Sequence, residues 1–297
     1  MYRVLLYYKY VHIDKPQELA EKHYEFCKQL GLKGRILFAE EGINGTCSGT
    51  FEQTETYMKE LRKDKRFKDI SFKNDEVEKH VFKKLFVRHK KEIVTFRAKQ
   101  KIEPRKLSGK HLSPKEFFKK LNEEDTVILD GRTDYEYDLG HFRNAIRPDV
   151  KSFREFPSWL KKNFTQYKDK PVLTYCTGGI RCEKLSGYLM KKGFKEVYQL
   201  DGGIVSYSQD KEVEGKLFEG KCYVFDERIS IPVNSAEEYK PTGKCHHCGT
   251  ATDRYVNCAN LDCHKQHFEC DVCEKKWFRS CSEECMNAER HEILVKA

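Results

Sequence analysis

Pro171-Val172-Leu173-Thr174-Tyr175-Cys176-Thr177-Gly178-Gly179-Ile180-Arg181-Cys182 is an apolar run that breaks at a cysteine followed by a glycine pair. Pro171 to Tyr175 reads as a short buried strand, and Leu185, Tyr188 and Leu189 carry a helical period that stops at Gly193. Cys176 therefore falls on a tight loop between a strand's carboxyl end and a helix N-terminus. Backbone N–H groups and the helix dipole converge there and favour a thiolate over a thiol. Gly178 and Gly179 let the chain curl round the sulfur, and Arg181 adds positive charge. The competing reading is a buried core cysteine. Two glycines and an arginine at these positions serve no packing purpose, so Cys176 and Arg181 are the candidate catalytic pair.

Loop length narrows the chemistry. Tyrosine-phosphatase loops place the arginine six positions after the cysteine, whereas Arg181 is five positions after Cys176. The smaller ring suits a persulfide sulfur better than a tetrahedral oxyanion.

The pattern continues on both sides. Ser113 caps and Pro114 starts a helix, Thr126 to Asp130 is a buried strand, and Val197 to Leu200 is another, ended by Asp201-Gly202-Gly203. Alternating strand and helix predict a parallel sheet with helices on both faces, whose reactive groups collect at the strands' carboxyl ends. Asp130, Arg132, Cys176 and Asp201 all fall there. Asp130 and Arg132 are candidate supporting residues. Cys182 is either a resolving thiol or a buried helix residue. His141 is expected to tie a helix to the sheet by hydrogen bonds, with a catalytic base as the alternative.

Residues 1–96 show the order βαββαβ, the pattern of a ferredoxin-like (acylphosphatase-like) α+β domain. The spacing predicts strands at Tyr2 to Val11, Gly34 to Ala39 and Gly45 to Ser48, and helices from Lys15 to Leu30 and Thr50 to Leu61, with Asp14 as the cap of the first helix. Glu40 to Gly45 forms a strand-to-strand turn or a binding loop. Lys63, Lys65, Arg66 and Lys68 head a basic segment interleaved with phenylalanines, suited to phosphate contact and base stacking or simply to a solvated face. Residues 97–112 read as a polar linker, 113–216 as the parallel-sheet domain and 217–297 as a cysteine-rich domain.

That last segment carries Cys245-x2-Cys248, Cys258-x4-Cys263, Cys270-x2-Cys273 and Cys281-x3-Cys285. Two tetrahedral four-cysteine zinc sites account for all eight, about two structural ions. The spacing leaves open whether pairs cross-brace or bind in sequence, and His246, His247, His264 or His267 can replace a cysteine in either scheme. Cys27, Cys47 and Cys222 are expected as inert core thiols.

Bulk composition bounds the rest. The 297 residues are 38% hydrophobic and 35% charged, with a net charge of +9, which makes polyanions natural partners. No apolar run approaches a membrane span, and Met1 to Leu6 lacks the marks of a signal peptide. Thirteen cysteines in such a chain argue for metal and thiol chemistry in the cytoplasm. There is no flavin or dinucleotide (NAD) fingerprint. His12-Ile13-Asp14 formally offers the His-x-Asp half of an iron facial triad, but Asp14 is already explained as a cap.

Asp130-Gly131-Arg132, Glu136 with Gly140-His141, Cys176 and Leu200-Asp201-Gly202-Gly203 together resemble a rhodanese domain, with Gly131 in place of the usual valine. Joined to the basic front and the cysteine-rich tail, the whole chain resembles the bacterial tRNA uridine hydroxylase family. The resemblance implies oxygen-dependent hydroxylation of the wobble uridine, with tRNA as partner and molecular oxygen as co-substrate. A persulfide-carrying sulfurtransferase, fed by thiosulfate or a protein persulfide donor and acting in tRNA thiolation, is the alternative.

Overall fold

The computed structural model describes residues 1–294. The front of the chain folds as β1 (Tyr2–Tyr10), α1 (Pro16–Gln29), β2 (Lys33–Ala39), β3 (Gly42–Thr50), α2 (Phe51–Lys63), β4 (Phe72–Val77) and β5 (Leu85–His89). The sheet order is β4-β1-β3-β2-β5, antiparallel except for the β2–β5 pair. Thr50 and Gln53 close a reciprocal cap on α2. The first helix differs from expectation. Its N-cap is Lys15, with no side-chain cap bond, and Asp14 pairs instead with the His12 ring at 3.0 Å. Pro16 alone starts the turn, since its fixed φ suits the first helical position.

Strand alternation gives β1 two jobs. Leu5 and Tyr7 enter the core with Cys27 of α1 and Tyr57 and Met58 of α2. Leu6, Tyr8 and Tyr10 point the other way, towards the second sheet.

That second sheet contains β6 (Lys110–Leu112), β7 (Val127–Asp130), β9 (Pro171–Tyr175) and β10 (Glu196–Leu200), all parallel in the order β6-β10-β9-β7. Its helices are α3 (Pro114–Leu121), α4 (Asp134–Leu139), α5 (Phe156–Asn163), α6 (Ile180–Lys191) and α7 (Gly203–Gln209). One apolar cluster lies on each face. The segment read as a polar linker is better integrated than its composition suggests. Ile102, with Phe96 just before it, is buried among Val127, Leu185 and Tyr188, and the segment's end forms β6. Sparse apolar side chains anchor it, which composition averages away.

β8 (Gly140–Phe142) pairs with β11 (Phe218–Tyr223), which also takes β12 (Ser230–Pro232). The start of the segment assigned to the tail is thus laced onto the parallel-sheet region. Beyond it lie a hairpin of β13 (Tyr255–Asn257) and β14 (Gln266–Phe268), then α8 (Asp271–Trp277) and α9 (Glu283–Met286).

One buried cation joins front and centre. Lys184 of α6 is 3% exposed, and its Nζ lies 2.8 Å from Glu41, 2.7 Å from Glu92 and 3.0 Å from the Val94 carbonyl. Glu41 sits in the β2–β3 turn and also accepts the Ile93 N–H. Removing one partner of a buried ion cluster strands the others in low dielectric. Lys184→Ala is therefore expected to destabilise the chain by about 3–5 kcal/mol and to open residues 90–110 to limited proteolysis. An unchanged urea midpoint and cleavage pattern would show that the two units dock without it.

Candidate active site and metal centres

The Cys176 loop is built from backbone. Gly179 adopts φ +98° and sends its N–H to the Cys176 Sγ at 3.2 Å, and the N–H groups of Arg181 and Cys182 also donate to the sulfur. The closing Asp201-Gly202-Gly203 turn docks on the loop: the N–H groups of Ile204 and Val205 bond the carbonyls of Cys176 and Thr177. A Cβ on Gly203 would stand 2.5 Å from the Cys176 carbonyl and 2.7 Å from the Gly179 nitrogen. Only glycine fits there.

Burial alone would push the fully buried Cys176 thiol up. The hydrogen bond from the Cys182 thiol, the Arg181 charge and the backbone N–H groups outweigh it and bring the group down to about 5. Cys182 moves the opposite way, raised by burial and by the neighbouring sulfur. The two shifts run in opposite directions, so the pair favours its negative charge on Cys176 and its proton on Cys182.

Arg181 does not stand alone. Its guanidinium forms two bonds with Glu136, 2.7 and 2.8 Å, and a third with Thr177 Oγ1 at 3.1 Å. Burial favours a neutral carboxyl at Glu136, but Arg181 reverses this and keeps its pKa below the usual range. Sequence reading placed Glu136 in a motif without a role; in the fold it orients the arginine. Asp130 and Arg132 form their own fully buried ion pair at 2.7 Å, and Arg132 also bonds the Gly140 carbonyl. They brace the α4–β8 turn beside the site. Gly131 has a steric reason as well, since a Cβ there would meet the Tyr175 carbonyl at 2.9 Å and Leu185 at 3.0 Å. His141 bonds the Tyr137 carbonyl at 2.8 Å and stacks on that ring, tying α4 to β8 as expected.

The front sheet covers the loop. A Cβ on Gly178 would meet Leu6, and one on Gly179 would meet the Tyr8 hydroxyl, each at 2.9 Å. Tyr8 donates to Glu183 at 3.0 Å, Tyr10 donates to the Ile180 carbonyl, and His111 bonds Glu183 at 2.9 Å. A cleft of about 510 Å³ opens alongside, lined by Tyr8, Tyr10, Lys73, Arg105, His111 and Asp201 among others. Burial pushes the Lys73 ammonium down, opposed by the charges of Asp201, Cys176 and Glu183. The cleft brings Tyr8 and Tyr10 together with Lys9, Lys73 and Arg105 and also with Asp69, Glu183 and Asp201, and its Gly202 wall adjoins the turn that docks on the Cys176 loop. These residues are scattered through the sequence, and only the docking of two sheets joins them. The basic residues singled out from sequence lie apart, at the end of α2 and just beyond it. Lys63 pairs with Glu60 and Arg66 with Asp64, leaving Lys65 and Lys68 as solvent-facing charges.

In the tail, the eight cysteines gather as Cys245, Cys248, Cys270 and Cys273, and as Cys258, Cys263, Cys281 and Cys285. First pairs with third and second with fourth, the cross-braced scheme, and no histidine replaces a cysteine. Sulfur separations of 3.6 Å for Cys248–Cys270 and Cys263–Cys281, and 3.7 Å for Cys281–Cys285, fit the edge of a tetrahedron. Four thiolates about 2.3 Å from one zinc ion lie roughly 3.8 Å apart. All are free thiols, so both clusters can hold a metal ion.

Family models agree with this layout: an acylphosphatase-like domain designated UPF0176 matches residues 2–93, a rhodanese-like domain 113–210 and a rhodanase C-terminal region 219–286. The chain is thus a rhodanese-domain protein with an acylphosphatase-like front. A solved rhodanese-like domain protein from Staphylococcus aureus, 27% identical, covers 35% of this chain and 94% of its own, with a TM-score of 0.28. Proteins named tRNA uridine(34) hydroxylase match far more of it. That of Bacillus licheniformis is 58% identical over 96% of this chain and 88% of its own length, and that of Bacillus velezensis 56% over 98% and 90%. The chain belongs to the tRNA uridine(34) hydroxylase family.

The thiol pair gives a direct test. Cys182→Ala removes the donor that helps hold the thiolate and is expected to raise the Cys176 pKa from about 5 towards the ordinary thiol range, while Cys182→Ser retains a donor and keeps it low. Thiolate absorbance followed against pH reads both variants. A curve unchanged in Cys182→Ala would mean that backbone N–H groups and Arg181 suffice.

Proposed function

We propose that this chain is a tRNA-modifying enzyme that hydroxylates C5 of the wobble uridine, position 34, in an oxygen-dependent reaction with Cys176 as its reactive group. The observation that carries the reading is the buried Cys176 sulfur, held towards the thiolate by Arg181 and backbone N–H groups, in a chain 53–58% identical over nearly its full length to proteins of that name. A thiolate there can add to C6 of uracil: the sulfur's electron pair forms the S–C6 bond, and the C5–C6 π pair moves to the C4 oxygen. C5 then becomes nucleophilic. Expelling the sulfur as the C5 proton leaves restores the double bond. Inserting one atom of O2 sends the other out as water and takes two electrons and two protons from an external reductant. In this reading Cys182, whose thiol hydrogen-bonds Cys176, resolves an oxidised Cys176 as a disulfide.

The two four-cysteine clusters are read as closed structural zinc sites, one ion each, which organise a segment of short elements. The cytoplasm suits thirteen free thiols, and among the described residues no helix is long and apolar enough to cross a membrane. The second reading, a sulfurtransferase served by a persulfide donor, is favoured by the tight ring of N–H groups around one sulfur.

Mass spectrometry of wobble nucleosides from a deletion strain separates the two. Loss of an added oxygen, restored by the wild-type chain but not by Cys176→Ser at equal protein level, is expected. Loss of sulfur instead would establish the second reading.

For RNA contact, neutralising Lys63, Lys65, Arg66 and Lys68 together is expected to weaken tRNA binding and flatten its salt dependence. Lys65 and Lys68 should account for most of the effect, since only their charges lack an acidic partner among the described residues. An unchanged salt slope would move the RNA footprint to the cleft around Lys73 and Arg105.

A further inference from the structure

Between the two cysteine clusters lies a second kind of donor set. His267 is in β14 and Glu269 follows two residues on, so strand alternation turns both to one face, opposite Phe268, whose ring packs on Tyr255 at 4.9 Å. His247, within the Cys245–Cys248 knuckle, meets them from the side, its ring held flat on Trp277 at 4.3 Å. One donor atom from each of the three lies within 4.8 Å of the others. The Nε2 of His247 is 3.5 Å from Glu269 Oε1, and that of His267 is 3.8 Å from Oε2.

These side chains are buried, with exposures of 8%, 3% and 0% for His247, His267 and Glu269. Both ring nitrogens of His267 and both carboxylate oxygens of Glu269 lack a hydrogen-bond partner. Four orphaned polar atoms facing one another in a dry site are costly, and native proteins almost never leave them so. The neighbouring cations do not resolve it. Arg254 bonds Glu274 and Arg279 bonds Glu292, with Arg254 Nη1 and Arg279 Nε left without a hydrogen bond and neither reaching Glu269, and His246 is engaged with the Cys281 carbonyl.

We infer that His247, His267 and Glu269 form a third metal site that takes a divalent first-row transition ion, with ferrous iron the ion whose usual donors these are. Two imidazoles and a carboxylate are the set of mononuclear non-haem iron sites, and also suit zinc with an open position. Donors each about 2.0–2.2 Å from one ion stand roughly 3–4.3 Å apart, which covers both measured gaps. Binding requires His247 Nε2 to give up its 3.0 Å contact with the Ser280 carbonyl, and the ion then satisfies the Glu269 oxygens and one nitrogen of each ring. Three protein donors leave positions for exogenous ligands, unlike the closed sulfur clusters. The inference does not depend on the proposed tRNA reaction.

Metal analysis of the full chain, purified anaerobically and then dialysed against ferrous iron, decides it. About three metal equivalents per chain are expected, falling to about two in His267→Ala and in Glu269→Gln while the thiolate-bound ions remain. The iron-loaded wild type should also give a ferrous-nitrosyl electron paramagnetic resonance signal with nitric oxide, and Glu269→Gln should lose it. Wild-type protein that stops at about two equivalents under excess ferrous, manganous or cobaltous ion overturns the proposal, and the three side chains then enclose only water. A third equivalent retained in both variants overturns the ligand assignment. Because the wild-type stoichiometry is read directly, a variant that fails to fold does not remove the test.

Discussion

A negative sulfur held in a fully buried loop is the constraint around which the centre of this molecule is arranged. Desolvation opposes it, so every feature of the loop supplies a donor or positive field: three backbone N–H groups, the Cys182 thiol and the Arg181 guanidinium. Arg181 in turn is buried and needs a counter-charge, which Glu136 provides from another helix. Glu136 is anchored by Thr133, at the turn that follows Asp130 and Arg132. A chain of obligations thus runs from one thiolate to the next strand, each buried charge demanding a partner in low dielectric. The motif residues of this region mostly serve that chain rather than touch the sulfur.

The same logic explains why the front sheet is docked rather than tethered. Leu6 and Tyr8 approach the loop where Gly178 and Gly179 leave no room for side chains, so the glycines serve both the curl of the loop and the fit of its cover. Lys184 fixes the approach through Glu41 and Glu92. Cys176 is fully buried under this cover, so a uracil reaches the sulfur only when Leu6 and Tyr8 shift, and the cleft lined by Tyr8, Glu183 and Gly202 opens beside them. Its volume lies within the range of about 300–1,000 Å³ common for small-ligand sites.

Much of this was legible in the residues, for identifiable reasons. Strand and helix order followed from hydrophobic period, the nucleophile from a cysteine at a strand end followed by two glycines, and the metal ligands from pair spacing. Each signal is local. What local pattern does not carry is which distant side chains meet. Lys184 and Lys73 belong to no motif, Glu136 is only a motif letter, and Tyr8 is one residue of a strand, until two sheets come together. Asp14 misled because an acidic residue before proline is a common cap, whereas here its carboxylate turns to His12. Residues 97–112 misled because a few buried apolar side chains outweigh a polar average.

The tail shows the limit most clearly. Eight cysteines announce their chemistry by spacing, yet the cross-braced pairing is a property of the fold: the β13–β14 hairpin and α8 bring the third pair back to the first. That crossing also brings together the groups that lie between the clusters. His247 belongs to a knuckle of the first cluster, Ser280 adjoins a ligand of the second, and His267 and Glu269 lie on the strand end between them. Sequential knuckles would have given no reason for these groups to meet. The burial of a carboxylate and two imidazoles there follows from the same cross-brace, so the clusters and the intervening donors form one unit whose parts constrain each other's position.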